Sequence, residues 1–422
     1  MNSLHLIEEI GNRVRQMEPP GFKGQVVRVI GLTVESQGPP AALGDACVIR
    51  SSNGKSSKLA EVVGFRNGRI LLMPWDGMDG VAVGDSVQSM KAPPKVAAGD
   101  AVLGRVIDPL GAPIDDLGSY RSEPQWVPLA KRVPSPVKRQ RIEEVCETGI
   151  RAVDVFNTVG VGQRMGIFAG SGVGKSSLLG MVCRYAQADV NVVALIGERG
   201  REVMEFVERD LGAEAMKKSV VIVATSDQPA LLRIKAAFAA NTIANYFRKQ
   251  GKHVLLMLDS LTRLAMAQRE VGLSIGEPPA TRGYPPSVFT LIPQLLEQAG
   301  CAEQGAITGF YTVLTEGDDW NDPVSDCARA ALDGHLLLTR KLANENHYPA
   351  VDILSSLSRL QLDLVNHEHN DLVTRVRHVL SVQSKYQELV DIGAYTPGTN
   401  TQLDQALEAY PKVMNYLKQV IT

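Results

Sequence analysis

The residues best suited to chemistry form the run Ala-Gly-Ser-Gly-Val-Gly-Lys-Ser at positions 169–176. An apolar stretch precedes this run and a helical pattern follows it, which is the strand, loop and helix context of a phosphate-binding P-loop. Glycines let backbone N–H groups turn toward phosphates, and the positive end of the helix adds to the attraction. Lys175 is predicted to reach the β and γ phosphate oxygens, and Ser176 to hold Mg²⁺. We assign nucleotide binding to Gly170, Ser171, Gly172, Val173, Gly174, Lys175, Ser176 and Ser177.

Two carboxylates are candidates for the metal and water chemistry of phosphoryl transfer. Asp259 ends the apolar stretch 254–258, and Glu198 follows the apolar stretch 192–196. Parallel α/β sheets bind ligands at the carboxyl ends of their strands, so both positions suit a nucleotide site. We expect Asp259 to position Mg²⁺ or its water, and Glu198 to orient the attacking water. Taken alone, Asp259 is better explained as a turn cap and Glu198 as a solvated side chain; the P-loop upstream favours the catalytic roles.

Length and composition restrict the class of protein further. A chain of 422 residues exceeds what one core normally organises, so two or three domains are expected. Lys plus Arg number 44 against 46 acidic residues, which gives no broad electrostatic reason to bind nucleic acid. The five scattered cysteines, the absence of a long apolar stretch and the absence of a secretory leader predict a soluble protein of the reducing cytoplasm.

The secondary structure predicted around these residues differs from one part of the chain to the next. Residues 4–17 have helical apolar spacing, and residues 24–88 alternate short apolar runs with turn signals such as Asn67-Gly68, which predicts a small β-barrel. Apolar runs separated by helical stretches then predict βαβ units around a parallel sheet, and the polar helical pattern after residue 362 predicts a helical C-terminal domain. The predicted domains are an N-terminal helix and lead-in at 1–23, a barrel at 24–91, an α/β ATPase domain at 92–362 and a helical domain at 363–422.

Several segments in a fixed order carry a family resemblance. They are the P-loop, the Gly-Glu-Arg run at 197–199, Asp259-Ser260, the Pro-Pro-Ala-Thr-Arg-Gly-Tyr-Pro-Pro run at 278–286, and residues 348–359. Together they resemble the rotary-type ATPases related to the catalytic β subunit of F-type ATP synthase. Within that group the chain is most similar to flagellar export ATPases, followed by injectisome type III secretion ATPases; the segment 312–319 is one of the pointers.

The resemblance implies roles that the residues alone would not. It implies a RecA-like nucleotide domain between the barrel and the helical domain, assembled as a homohexamer. By resemblance Glu198 polarises the water, Arg199 and Glu202 support the catalytic and metal site, Tyr348 packs against adenine, and Arg359 is an arginine finger that reaches the nucleotide of the adjacent subunit. A finger supplied in trans neutralises charge on the γ-phosphoryl group, so hydrolysis would depend on assembly.

The resemblance also implies partners and a location. Besides ATP, these are a regulator or stator protein at the N-terminal helix, a coiled-coil central stalk protein, and complexes of export chaperones with their substrates. The expected location is the cytoplasm, with peripheral association to the inner-membrane export apparatus, and with no nucleic acid bound.

Three other functions stay open at this point. A non-catalytic nucleotide-binding ring subunit would be expected to lose the water-activating carboxylate, whereas Glu198 is present. A hexamer that translocates on nucleic acid would need basic or aromatic strand contacts in the barrel, where residues 24–90 hold only Phe65 and Trp75 as aromatics. The ATP synthase catalytic subunit shares the chemistry, and the segment 315–319 favours export over it.

Overall fold

The computed structural model of the chain describes residues 23–52, 54, 56–129, 133–315 and 322–420. The predicted N-terminal helix at 4–17 lies outside these residues, and so do residues 316–319 of the segment that favours export. The described chain divides into two compact units, one of them the barrel up to Pro94 together with Val271–Glu277, the other comprising Lys95–Glu270 and the residues from Pro278 onward. The finer domain boundaries remain predictions.

The first unit is a closed antiparallel barrel in the strand order β1-β2-β5-β4-β3-β6. Its strands are β1 (Lys23–Ile30), β2 (Thr33–Gln37), β3 (Ala46–Arg50), β4 (Ser57–Arg66), β5 (Arg69–Pro74) and β6 (Ser86–Ser89). Asn67 and Gly68 both have positive φ in the turn that joins β4 to β5, as a tight hairpin turn requires. The interior is apolar, with Val34, Leu72 and Val87 buried, because alternate residues of each strand face inward.

The second unit is built on a sheet in the order β17-β16-β10-β15-β13-β11-β12-β8, with β14 paired to β15. Its strands are β8 (Arg105–Ile107), β10 (Arg164–Ala169), β11 (Val190–Ile196), β12 (Ser219–Ala224), β13 (His253–Asp259), β14 (Gly300–Cys301), β15 (Ala306–Leu314), β16 (Gly334–Leu338) and β17 (Val351–Ser358). All neighbouring strands in the part of this order from β16 to β8 pair in parallel. Strands β14 and β17 are antiparallel to their neighbours. Strands β11 and β12 are buried along their whole length, as expected where helices cover both faces.

Helices surround the sheet and continue beyond it. They are α1 (Arg151–Asp154), α2 (Lys175–Tyr185), α3 (Gly200–Glu205), α4 (Gly212–Lys217), α5 (Ala230–Arg248), α6 (Leu261–Ile275), α7 (Pro286–Leu296), α8 (Pro323–Ala331), α9 (Arg340–Asn344), α10 (Gln361–Leu364), α11 (His367–Asp391) and α12 (Thr401–Leu417). A π-helix, Phe206–Leu211, lies between α3 and α4. Three 3₁₀ turns (Asp100–Val102, Pro136–Lys138, Thr281–Gly283) and a small ladder of β7 (Lys95–Ala98) with β9 (Gln125–Pro128) complete the unit.

The C-terminal region consists of α11 and α12, which pack against each other. Asn366 and Asn400 cap their first turns by accepting backbone N–H groups, and Gly393 lies in the connection between the two helices. Leu380 and Leu417 belong to the same apolar core as the sheet. Barrel, parallel sheet and helical region therefore follow in the predicted order, and among the described residues no helix combines the length and the apolar character needed to span a bilayer.

Candidate active site

The P-loop follows an interior strand of the sheet. Strand β10 lies between β15 and β16, and the loop leaves its carboxyl end and leads directly into α2 at Lys175. Gly172 and Gly174 have φ of +78° and +90°, the left-handed region in which a side chain would be strained. The P-loop pattern has glycine at its first position, where this chain has Ala169. Ala169 is the last residue of β10 and is fully buried, so alanine is accommodated in the core.

Lys175 brings two distant carboxylates together at the foot of the loop. Its Nζ lies 2.5 Å from Asp259 Oδ1 and 3.3 Å from Glu198 Oε1. Asp259 is only 2% exposed at the end of β13, and it also accepts a hydrogen bond of 2.6 Å from Thr312 Oγ1. Glu198 follows β11, the strand next to β13, so the parallel register places both carboxyl groups at one edge.

The electrostatics of this group are unbalanced, because one cation faces two carboxylates. Burial alone would lower the pKa of Lys175, but Asp259 and Glu198 raise it, which keeps the ammonium charged. Burial raises the pKa of Glu198 to about 7, and the neighbouring charge of Asp259 adds to this effect against the opposing influence of Lys175. A carboxylate that titrates near neutral pH is suited to accept a proton from water.

A cavity of about 640 Å³ opens over these groups. Most of the predicted site residues line it: Gly170, Ser171, Gly172, Gly174, Lys175, Ser176, Ser177, Glu198, Arg199 and Glu202. Arg199 is 70% exposed at the start of α3, where its Nη1 lies 3.5 Å from Glu202 Oε1. Val173, also predicted to bind nucleotide, is only 2% exposed and does not line the cavity.

Tyr348 lies beside the loop without lining the cavity. An ideal Cβ built on Gly174 would be 3.1 Å from Cε1 of the Tyr348 ring, which therefore rests against this glycine. The ring is half-buried and belongs to the margin of the main apolar core. A residue larger than glycine at position 174 would collide with it.

Arg359 is remote from the P-loop of its own chain. Strand β17 runs antiparallel to β16, so Val351 is level with the end of β16 and Ser358 with its start. Arg359 follows Ser358 and is exposed, and its Nη2 donates to the carbonyl of Arg329 at 3.3 Å. The four residue steps of β16 separate the two ends by roughly 13 Å. The chain therefore does not deliver Arg359 to its own Lys175.

The cavity also contains groups that the sequence analysis missed. Thr262 and Arg263 line it from α6, three and four residues after Asp259, and that helical spacing is a signal that was available. Arg340 follows β16 and its Nη2 lies 3.5 Å from the Ser171 carbonyl, so its place after a parallel strand was a second signal. Arg209 lines the cavity from the π-helix. The spacing of apolar residues in the sequence did not indicate this π-helix.

The oxygen donors fit Mg²⁺ bound together with a nucleotide. Ser176 lines the cavity, whereas the buried Asp259 does not line it and contacts Lys175; both side chains offer the hard oxygen ligands that Mg²⁺ prefers. Among the residues that the structure describes, no cluster of three or more His, Cys, Asp or Glu side chains could hold a metal by itself. Mg²⁺ is commonly held by one or two protein oxygens plus phosphates and water, which this donor set allows.

The fold and the site together define the class of protein. Models of the ATP synthase alpha/beta family match residues 149–358 with its nucleotide-binding domain and residues 26–91 with its beta-barrel domain. A model of the T3SS EscN ATPase C-terminal domain matches residues 365–422. The class is that of the ATP synthase alpha/beta P-loop ATPases, and the predicted fold class is confirmed.

Individual relatives narrow this class. The flagellum-specific ATP synthase of Bacillus subtilis (strain 168) is 49% identical over 399 residues, 94% of this chain and 90% of that protein. The assembled ATPase EscN of the enteropathogenic E. coli type III secretion system has a TM-score of 0.89 and 44% identity, covering 94% of this chain and 96% of that one. EscN in complex with its central stalk EscO has a TM-score of 0.86 and 42% identity, with the same coverage.

The chain belongs to the flagellar and type III secretion ATPases of the ATP synthase alpha/beta family. Its activity is ATP hydrolysis, and its function is that of an export ATPase. The predicted resemblance and enzyme class are thereby confirmed.

Proposed function

We propose that this ATPase works as a homohexameric ring and hydrolyses MgATP at subunit interfaces to energise flagellar or type III protein export. The position of Arg359 supports a site shared between subunits. Arg359 is exposed at the end of the sheet opposite to its own P-loop. A cation needed at the γ-phosphate but built on the far edge can act only on a neighbouring subunit. The EscN relative described as an assembled ATPase supports this arrangement.

Each residue then has a defined part in the reaction. The loop amides, Lys175 and the start of α2 hold the phosphates, and Ser176 and Asp259, the latter through water, hold Mg²⁺, which neutralises phosphate charge when bound. Glu198 orients the attacking water and accepts its proton. Because a phosphate offers Lys175 a third anionic partner beside Asp259 and Glu198, nucleotide binding weakens its hold on Glu198 and leaves that carboxylate to the water.

The outer residues complete the site. Arg199 and Glu202, paired at 3.5 Å, support Glu198 from the start of α3. Tyr348 packs its ring against adenine from its position beside Gly174. Arg359 of the adjacent subunit neutralises charge as it develops on the γ-phosphoryl oxygens.

Hydrolysis is coupled to export through other proteins. We propose a central stalk coiled-coil protein in the ring, by analogy with the EscN structure solved with its stalk EscO. Further partners are a regulator or stator protein at the N-terminal helix and export chaperones carrying substrates, which the ring releases and unfolds at the export gate. The enzyme works in the cytoplasm, peripherally bound to the inner-membrane apparatus, and its net charge of -2 gives no basis for nucleic acid as a partner.

The interface is tested by mixing two inactive variants before assembly. Glu198→Gln disables the site of its own subunit, and Arg359→Ala disables only the finger that a subunit gives to its neighbour. In an equal mixture, random assembly creates an intact interface at roughly a quarter of the positions, where an Arg359→Ala site receives its finger from a Glu198→Gln subunit. We expect steady-state hydrolysis of MgATP to recover to about that fraction of the native rate.

The matched control mixes Glu198→Gln with Lys175→Ala, which places both defects in the same site. No random assembly of these subunits contains an intact site, so this mixture should stay inactive. Oligomer size is followed by light scattering in every sample. Rings of Glu198→Gln with Arg359→Ala that assemble fully but recover no activity would show that Arg359 is not the finger in trans.

A further inference from the structure

Gln419, two residues beyond α12, joins the end of this helix to two other segments of the chain. Its backbone N–H donates to the carbonyl of Tyr348 at 2.8 Å. Its side-chain Oε1 accepts the N–H of Arg151 at 2.7 Å, and its Nε2 donates to the carbonyl of Gly149 at 3.1 Å. One side-chain amide thus satisfies a donor and an acceptor of the same short segment, as a neighbouring strand would.

The residues just before Gln419, at the end of α12, are firmly anchored. Leu417 is 3% exposed and belongs to the main apolar core. The carbonyl of Tyr416 accepts a hydrogen bond of 2.7 Å from Arg151 Nη1, and the Arg151 guanidinium lies 5.3 Å from the centre of the Tyr416 ring. The end of α12 is therefore fastened to the segment at 149–151 by both side chains and backbone.

Both segments that Gln419 holds lead to the P-loop and its helix. The ring of Tyr348 rests against Gly174 at the start of α2. Gly149 touches the other end of α2, since an ideal Cβ built on Gly149 would be 2.5 Å from Cβ of Tyr185. The contacts of one glutamine thereby reach the two ends of the helix that carries Lys175.

We propose that Gln419 is a positioning residue for the nucleotide, acting through Tyr348 and through the segment at 149–151. It transmits the position of the C-terminal helices to the adenine side of the site, and it sets how tightly and how selectively ATP is bound. The adenine part of this inference rests on the role proposed above for Tyr348. Gln419 touches neither the phosphates nor the attacking water, so its removal changes binding more than the chemical step.

The test compares the kinetics of assembled enzyme with ATP and with GTP for Gln419→Ala, Gln419→Glu, Tyr348→Ala and Gln402→Ala. Gln402 is an exposed glutamine at the start of α12 and serves as the matched control. Dissociation constants for MgADP are measured by calorimetry, and the thermal midpoint of each variant is recorded. Gln419→Glu keeps an acceptor for the Arg151 N–H but, when ionised, has no proton to donate to Gly149.

We expect Gln419→Ala to raise the KM for ATP and the Kd for MgADP on the order of fivefold to tenfold, with kcat within twofold of the native value. Preference for ATP over GTP should fall toward that of Tyr348→Ala, Gln419→Glu should lie between alanine and native, and Gln402→Ala should match native. Unchanged KM and Kd in Gln419→Ala would refute the proposal. So would a parallel loss of kcat for both nucleotides with a lower thermal midpoint, since that indicates a merely structural role.

The outcome for Tyr348→Ala separates this inference from the proposed function. If Tyr348→Ala leaves the KM and the ATP preference unchanged, the adenine role of Tyr348 is wrong. A raised Kd in Gln419→Ala would then still support positioning, through Gly149 and α2. If Tyr348→Ala weakens binding and Gln419→Ala does not, the role of Tyr348 stands and the positioning role of Gln419 is wrong.

Discussion

The two ends of the same parallel sheet each hold a partly buried cation beside two carboxylates, yet the candidate active site lies at only one of them. At the amino end, Arg164 donates to Asp333 through Nε and Nη2, both at 2.9 Å, and its Nη1 bonds to Glu297. At the carboxyl end, Lys175 contacts Glu198 and Asp259. The residue types are alike, so an ion pair by itself does not distinguish a structural network from a catalytic one.

The difference lies in how completely the charges are satisfied. All three nitrogens of the Arg164 guanidinium have carboxylate partners, and Arg139 adds a second cation, its Nη2 lying 3.2 Å from Glu297 Oε2. Burial alone would lower the pKa of Arg164, and Asp333 and Glu297 raise it. Lys175 must serve two carboxylates from one ammonium group, beside a glycine loop that leaves a cavity of about 640 Å³. Burial raises the pKa of Glu198 to about 7, and the charge of the neighbouring Asp259 adds to this effect. A ligand that enters the cavity can supply the partners that these unbalanced charges lack.

Among the changes that test this comparison, the loss of Lys175 should have the largest effect on the rate of hydrolysis. Lys175→Ala should reduce the steady-state rate of MgATP hydrolysis about 10³-fold, because a preorganised cation at the phosphates is removed. Lys217→Ala removes an exposed lysine that is paired with Glu214 and should leave the rate unchanged. Native hydrolysis by the Lys175 variant would contradict the assignment of the carboxyl end as the catalytic one.

The same kind of change at the amino end should affect stability instead. Arg164→Met keeps much of the side-chain volume but leaves Asp333 without this cation, whereas Glu297 keeps Arg139. The free energy of unfolding should fall by about 3 kcal/mol. Denaturant unfolding measures this, and kcat of the assembled variant should stay within threefold of native. Glu408→Ala, which breaks an exposed pair with Lys412, should cost under about 0.5 kcal/mol. A large loss of kcat without loss of stability in Arg164→Met would remove the distinction between the two ends.

The raised pKa of Glu198 predicts a pH dependence with a definite sign. Its folded pKa of about 7 lies above the usual 4.5, so the folded state holds the proton more tightly than the unfolded state between these values. The contribution of Glu198 to stability is therefore fully present below about pH 4.5 and lost as the pH rises through 7. Relative to Glu198→Gln, the nucleotide-free protein should lose about 3 kcal/mol between pH 4.5 and pH 8. A constant difference between the two proteins over this range would show that Glu198 titrates normally.

The smallest expected effect concerns the support of Asp259. Thr312→Val keeps the shape of the side chain but removes the hydroxyl that donates to Asp259 Oδ1 at 2.6 Å. The lost hydrogen bond is expected to reduce kcat/KM for MgATP about fivefold, because the carboxylate is less firmly held. Thr374→Val, on the exposed face of α11, is the control and should not change the rate. An unaltered Thr312→Val enzyme would mean that Lys175 alone orients Asp259.

Local features of the site were determined by the sequence. Gly172 and Gly174 permit positive φ where the P-loop turns, and the apolar run before them forms the buried strand that places the loop at a sheet edge. The Asn67-Gly68 pair likewise specifies its hairpin turn, since both residues adopt positive φ readily. These predictions succeeded because the physical cause and its effect lie within a few residues of each other.

The tertiary structure alone decided which distant groups meet. Glu198, Asp259 and Thr312 converge near Lys175 because β11, β13 and β15 run parallel side by side, and the strand order is not contained in any short stretch of sequence. Arg359 lies at the opposite edge because β17 is antiparallel, which no motif around it indicates. Gln419 reaches Gly149 and Tyr348 only through the packing of α12. Long-range contacts of this kind depend on the whole fold, because burial and strand pairing are satisfied collectively rather than residue by residue.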